Sequence, residues 1–170
     1  MWVHALQGMR PNLSAATHNF CNFQSESYSA VMWEYTTPPS YGSTSVSVGC
    51  VAVDGKILIA GADCKPTHVV SATDKELGWP EPTEAKFEWH GKDGASAEVG
   101  GVLGKRVDRI DVLAEVPGFV KVIIAQAGGL KPFIYQFHPT LKLQIKDSNG
   151  DTKEEEGTLL MESTFISGQA

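Results

Sequence analysis

The stretch FIYQFHPTLKLQIK, residues 133–146, decides the fold class because its side chains alternate between apolar and polar. A period of two residues is typical of a β-strand that turns one face towards a core. Pro139 is expected to bend this strand or to mark a sheet edge, since proline donates no ladder hydrogen bond. The predicted apolar face comprises Phe133, Tyr135, Phe137, Leu141, Leu143 and Ile145, and the polar face comprises Gln136, His138, Thr140, Lys142, Gln144 and Lys146.

A first hairpin is predicted at Asp54-Gly55. This dipeptide tolerates the positive φ angles of a type I′ turn, whose twist matches the flanking strands. Pairing outward from the turn places Ala52 opposite Ile57 and Cys50 opposite Ile59.

A second hairpin is predicted at Pro117-Gly118, between strands over residues 109–116 and 119–124. A two-residue loop pairs Lys121 with Ala114 and directs Lys121 into the interior, whereas a three-residue loop directs it outwards.

The remaining β-branched and aromatic runs lie between glycines and prolines that are spread along the whole chain. We expect further strands at Tyr28–Tyr35, Ala85–His90, Ala95–Val99 and Thr158–Ile166, and one or two helical turns at Ser71–Leu77. The sequence therefore predicts an all-β, antiparallel, lipocalin-like β-barrel of about eight strands, forming one domain over residues 1–170. Sequence alone does not separate a filled barrel from a hollow one.

Composition excludes several function classes. The net charge is −6, and the 14 basic residues form no run longer than Lys105–Arg106, which argues against nucleic-acid binding. Three cysteines without CxxC spacing and five scattered histidines predict neither a disulfide framework nor a metal site. No signal peptide and no membrane-spanning run is visible, so a cytoplasmic location is expected.

General catalytic motifs are also absent from the sequence, including the nucleophile elbow, the phosphate loop, the zincin helix and the dinucleotide fingerprint. The aromatic residues are the better candidates, because they either fill a core or line a cavity for an apolar molecule. Glu34, and Lys121 if it points inwards, are the charges whose burial would indicate a ligand, although solvated side chains are the simpler interpretation of both. His4, two residues after Trp2, is most simply a packed histidine.

The order of several short motifs resembles a known superfamily. Trp2-Val3-His4-Ala5 is followed by the segment SYSAVMWE over residues 27–34, by a strand that ends in Asp54-Gly55, and by GTLLME over residues 157–162. This order resembles the C-terminal half of the fungal decalin-forming Diels–Alderases. These enzymes belong to a two-domain lipocalin-like superfamily that also contains carotenoid hydratases and a fungal survival factor.

The resemblance implies a cofactor-free intramolecular [4+2] cyclisation of a linear polyene polyketide. His4, Tyr28 or Lys121 would donate a hydrogen bond to the dienophile carbonyl. Trp2, Trp33, Tyr135 and Phe137 would contact the polyene and hold its reactive conformer. The partners implied are an apolar small molecule and either a separate N-terminal β-domain or a second copy of the chain.

Two other functions stay open at this point. One is a non-catalytic barrel that binds a lipid or another hydrophobic small molecule, and the other is an interaction module that pairs with a separate N-terminal half. Fold class does not decide between them.

Overall fold

The computed structural model describes residues 14–119, 121 and 130–167. They form an all-β structure in which every recorded strand ladder is antiparallel. This confirms the predicted fold class. The strands are β1 (Thr17–Gln24), β2 (Tyr28–Thr36), β3 (Ser45–Val53), β4 (Lys56–Gly61), β5 (Cys64–Thr73), β6 (Pro80–His90), β7 (Ser96–Val102), β8 (Asp108–Asp111), β9 (Leu130–Phe137), β10 (Thr140–Lys146) and β11 (Thr152–Ser167).

The strands form one curved sheet in the order β4-β3-β2-β1-β11-β10-β7-β6-β5. The long strand β11 pairs with β1 along one edge and with both β10 and β9 along the other. Strand β8 pairs with the free edge of β9. The sheet curls far enough for β6 to face β2. The indole Nε1 of Trp89 on β6 donates a hydrogen bond to the carbonyl oxygen of Val31 on β2 at 3.0 Å. Among the described residues, no ladder joins the two end strands, β4 and β5.

The first predicted hairpin is present. Asp54 and Gly55 have φ angles of 47° and 74°, as a type I′ turn requires, and Ala52 pairs with Ile57. The second predicted pair is wrong, because a bulge between Val51 and Ala52 shifts the register and Ile59 pairs with Val51. The bulge turns Ile59 into the core and leaves Ile57 exposed.

The stretch over residues 133–146 alternates as predicted, with Tyr135, Phe137, Leu143 and Ile145 buried. It forms two strands, β9 and β10, because His138 and Pro139 interrupt the ladder. Both strands pair with the same neighbour, β11, which is longer than predicted and includes the acidic residues Glu154–Glu156.

Three strand predictions are wrong. The described residues form eleven strands instead of about eight, since β1 and β5 lack a strong hydrophobic alternation and were not foreseen. Of the predicted helical turns at Ser71–Leu77, the first part is wrong because Ser71–Thr73 belong to β5, whereas one turn follows, closed by the Gly78 N–H donating to the Asp74 carbonyl at 2.8 Å. The predicted hairpin at Pro117-Gly118 is not formed by the described residues, since β8 pairs with β9 and Lys121 donates its backbone N–H to the carbonyl of Pro117 in a helical turn. Residues 120 and 122–124 of the second predicted strand lie outside the described residues.

Candidate functional site

The inner face of the sheet changes from apolar to polar along four neighbouring strands. At its polar end, Ser163 of β11, Asn19 of β1, Glu34 of β2 and Ser47 of β3 are direct cross-strand neighbours. We call these four residues the polar row. Two positions deeper, the corresponding residues are Met161, Cys21, Met32 and Gly49, which we call the apolar floor.

Hydrogen bonds connect the polar row to His68 on β5. The imidazole Nε2 of His68 lies 2.9 Å from Asn19 Oδ1, and the hydroxyl of Ser163 lies 3.3 Å from the same oxygen. An amide oxygen only accepts hydrogen bonds, so Nε2 of His68 carries the proton. Burial lowers the pKa of His68, which favours its neutral form.

Glu34 receives the other hydrogen bonds of the row. Its carboxylate accepts from Asn19 Nδ2 at 3.3 Å and from the Ser47 hydroxyl at 3.1 Å. Glu34, whose charge the sequence singled out, therefore faces the interior and accepts hydrogen bonds from uncharged side chains on both neighbouring strands.

The polar row borders a pocket of about 420 Å³, lined by Thr17, Asn19, His68, Gly78, Trp79, Pro80, Ser163, Phe165 and Ser167. This volume lies within the range of small-molecule sites. The aromatic wall beside the polar groups consists of Trp79 stacked on Phe165, with ring centroids 5.3 Å apart and an interplanar angle of 14°. Tyr135 packs edge-on against Phe165 at 5.7 Å.

Asp74 fixes the loop that carries Trp79. Its backbone N–H donates to the Trp79 carbonyl, and its carboxylate accepts hydrogen bonds from Tyr135 Oη and Arg109 Nη1, both at 2.9 Å. Burial alone would raise the pKa of Asp74. The backbone N–H groups of Glu76 and Leu77, together with Arg109 and Tyr135, outweigh burial and hold this pKa well below its ordinary value.

The apolar floor is packed solid. Cys21, Met32 and Met161 are fully buried, and the ring of Trp89 covers Gly49 so closely that a Cβ atom there would lie 2.6 Å from Trp89 Nε1. The space for a ligand therefore lies above the floor and beside the polar row.

A larger groove of about 520 Å³ lies beside Glu88, His90, Glu98 and Lys146. Its lining is mostly exposed, charged and polar, and Glu88 and Glu98 are paired with Lys86. The interior pocket is the better candidate because it combines an aromatic wall with convergent polar groups.

Among the described residues, those that the sequence grouped into one site do not lie together. Trp2 and His4 lie outside the described residues. Tyr28 is buried beyond the floor, at the opposite end of β2 from Glu34. Lys121 pairs with Asp111 at 2.8 Å.

The predicted aromatic contacts are divided between the two faces of the sheet. Tyr135 and Phe137 are buried in the interior. Trp33 alternates with the inward residues Met32 and Glu34, and its ring lies beside His18 and Tyr35 on the outer face. The ligand contacts assigned to these three residues stay predictions.

Sequence reasoning missed Asn19, His68, Trp79, Ser163 and Phe165. Asn19 and Ser163 occupy inward positions next to apolar inward residues, Cys21 in β1 and Met161 in β11. Such a polar interruption would have been recognisable only once the register of β1 and β11 was known.

Two further features are absent from the described ranges. No group of three His, Cys, Asp or Glu side chains is arranged to hold a metal ion. No described helix has the length and apolar character needed to cross a bilayer.

The curved sheet and its interior pocket define an all-β protein of the lipocalin-like type. Residues 1–167 match the model of the Svf1 family, and the chain belongs to that family. It is 56% identical over 98% of its length to the ceramide-binding protein svf-1 of Neurospora crassa, and 50% identical over 98% to the ceramide-binding protein svf1 of Emericella nidulans. The chain spans 45% of the length of each of these two relatives.

Solved structures agree on the fold. The crystal structure of CghA is similar with a TM-score of 0.64 and 10% identity, over 95% of this chain and 43% of that one. Kievitone hydratase from Nectria haematococca gives a TM-score of 0.51 at 9% identity, over 90% of this chain and 40% of that one. At such identities the likeness shows the lipocalin-like fold alone.

The expected Diels–Alder cyclisation is wrong. Relatives that share half or more of the aligned residues are named as ceramide-binding proteins and not as cyclases. The same names contradict the expectation of an enzyme and favour the alternative interpretation, a binder of a hydrophobic small molecule.

Proposed function

We propose that this chain contributes the ligand pocket of a non-catalytic lipid-binding protein whose ligand is a ceramide-type lipid. The observation that carries the proposal is the 56% identity, over nearly the whole chain, to a protein named for ceramide binding. Since the chain spans less than half of that relative, the activity of the longer protein is extended to this chain only as a proposal.

The interior pocket supports this function physically. A ceramide combines a small polar head, with hydroxyl and amide groups, and two long alkyl chains. The polar row offers hydrogen-bonding partners for the head, and the stacked rings of Trp79 and Phe165 offer apolar surface to an alkyl chain. No nucleophile or cofactor is needed for binding of this kind.

The test is lipid transfer to the purified chain from phosphatidylcholine vesicles that contain a ceramide, followed by native mass spectrometry. We expect a one-to-one complex with ceramide and none from vesicles of phosphatidylcholine alone. Trp79→Ala should reduce the retained ceramide at least threefold, because the aromatic wall is lost.

Ile57→Ala is the matched control, since Ile57 is 71% exposed at the tip of the β3–β4 hairpin. Failure of the unsubstituted chain to retain ceramide contradicts the proposal. Equal losses in Trp79→Ala and Ile57→Ala contradict the placement of the lipid in the pocket.

The predicted protein partners, a separate N-terminal β-domain or a second copy of the chain, stay predictions, as does the cytoplasmic location. Light scattering of the purified chain, with and without ceramide, measures whether a second copy binds.

A further inference from the structure

We propose that the polar row and His68 select lipids with an uncharged, hydrogen-donating head and reject lipids that carry a phosphate on that head. This inference rests on the proposed function and adds the head-group chemistry of the same pocket. Three observations carry it: the charges around the pocket, the direction of the hydrogen bonds, and the engagement of the two described arginines elsewhere.

The described lining of the pocket contains no lysine or arginine, and one carboxylate lies beside it. Glu34 of the polar row accepts hydrogen bonds from Asn19, which lines the pocket, and from Ser47. A phosphate placed beside Asn19 would approach this carboxylate with no counter-ion in the lining. Proteins that bind phosphate usually supply arginine or lysine for it. The charge distribution therefore disfavours a phosphorylated head.

Both arginines of the described residues are already engaged. Arg109 donates to both Asp74 and Glu76, and Arg106 donates to Glu81 at 2.6 Å while its guanidinium lies over the Tyr135 ring. Moving either cation into the pocket would break these contacts and deprive the buried Asp74 or the half-buried Glu81 of its hydrogen-bonded arginine. The geometry thus keeps both arginines out of ligand binding.

The hydrogen bonds leave acceptors for the ligand. Because His68 Nε2 donates to Asn19, Nδ1 of the neutral ring is an acceptor, and it has no hydrogen bond within the described part of the chain. The Glu34 carboxylate also has more acceptor sites than its two donors fill. Hydroxyl and amide N–H groups of a lipid head can donate to these acceptors, whereas an ionised phosphate offers mainly further acceptors.

The experiment is a competition between two lipids of the same chain length. Vesicles contain equal amounts of a ceramide and of the corresponding ceramide phosphate, and native mass spectrometry counts each lipid bound to the purified chain. We expect at least a tenfold preference for the ceramide. Glu34→Gln keeps the size of the side chain and removes its charge, so the preference should fall at least threefold.

Glu115→Gln is the control, since it removes the same charge from an exposed site remote in sequence from the pocket strands, and it should leave the preference unchanged. His68→Phe keeps a ring but loses both nitrogens, and it should reduce ceramide retention at least threefold. Thermal unfolding followed by circular dichroism identifies the variants that fold.

The outcomes separate the two proposals. If the unsubstituted chain retains neither lipid, the proposed function itself is overturned. If it retains both lipids equally, or if Glu34→Gln and His68→Phe fold but behave like Glu115→Gln, lipid binding stands and the head-group inference is overturned.

Discussion

The apolar floor and the polar row lie on the same four strands, two residues apart, but differ in packing and in side-chain hydrogen bonding. On the floor, Met161, Cys21 and Met32 are buried and Trp89 closes over Gly49. In the polar row, Ser163, Asn19, Glu34 and Ser47 face the same interior but bind one another through side-chain hydrogen bonds. Apolar side chains that fill space stabilise the fold, whereas inward polar side chains beside a pocket are suited to ligand recognition.

This difference predicts that substitutions in the floor change stability and that substitutions in the polar row change ligand retention. Three substitutions in or against these two regions test the stability half of this expectation, and a fourth, of Asp74, tests the loop that carries Trp79. They are ordered here from the largest expected effect to the smallest.

Trp89→Ala is expected to lower the free energy of unfolding by about 3–5 kcal/mol, the usual cost of a large core truncation. The substitution opens a cavity under Gly49 and leaves the Val31 carbonyl without its indole donor. Urea denaturation of both proteins measures the change. A loss below about 1 kcal/mol would mean that the floor is not the packed half of the interior.

Asp74→Asn is expected to cost about 2–3 kcal/mol at neutral pH, because Asp74 accepts hydrogen bonds from charged Arg109 as well as from Tyr135. Folding lowers the pKa of Asp74, so the ionised carboxylate contributes its full share to the free energy of unfolding when the pH is above the pKa of the unfolded chain, ~4. That contribution is lost as the pH falls below this value towards the folded pKa.

The difference in unfolding free energy between this variant and the unsubstituted protein should therefore shrink below pH ~4. Urea denaturation between neutral and strongly acidic pH measures it. A difference that stays constant over this range would contradict a stabilising carboxylate at this position.

Gly49→Ala is expected to cost about 1–3 kcal/mol, since an added methyl group collides with the Trp89 ring and with Cys64 Sγ at 2.9 Å. Gly118→Ala is the control, because its Cβ would have no neighbour within 4 Å. Similar midpoints of thermal unfolding for the two variants would show that the floor has room to adjust.

Ser163→Ala is expected to change the free energy of unfolding by less than about 1 kcal/mol. The hydroxyl makes only long hydrogen bonds of 3.3 Å, and Asn19 Oδ1 keeps its bond to His68 when the hydroxyl is removed. Urea denaturation checks this value. A loss as large as that of Trp89→Ala would remove the distinction between the two regions.

Much of the fold followed from local sequence patterns. The alternation over residues 133–146 and the turn at Asp54-Gly55 depend on neighbouring residues alone, and both are present. The strands β1 and β5 were missed because inward positions such as Asn19 and His68 are polar, which removes the alternation that marks a strand.

The pocket was missed for the same reason. Its residues come from distant parts of the chain, and Asn19 meets Ser163 across 144 positions of sequence. The sequence identified Glu34 as a charge whose burial would indicate a ligand. Its position beside Asn19, however, depends on the register between β1 and β2, which no local pattern specifies. The predicted ligand contact of Trp33 came from the resemblance, and strand alternation in the structure places its ring on the outer face.

The position of β11 has a consequence for folding kinetics. This last strand of the described chain lies between β1 and the pair formed by β9 and β10, so the two parts of the sheet can associate only after it has been synthesised. Until then the outer edges of β1 and β10 present unpaired backbone groups, a state that is slow to mature and prone to aggregate. A nascent chain arrested before Thr152 should therefore depend on chaperones far more than the released chain does.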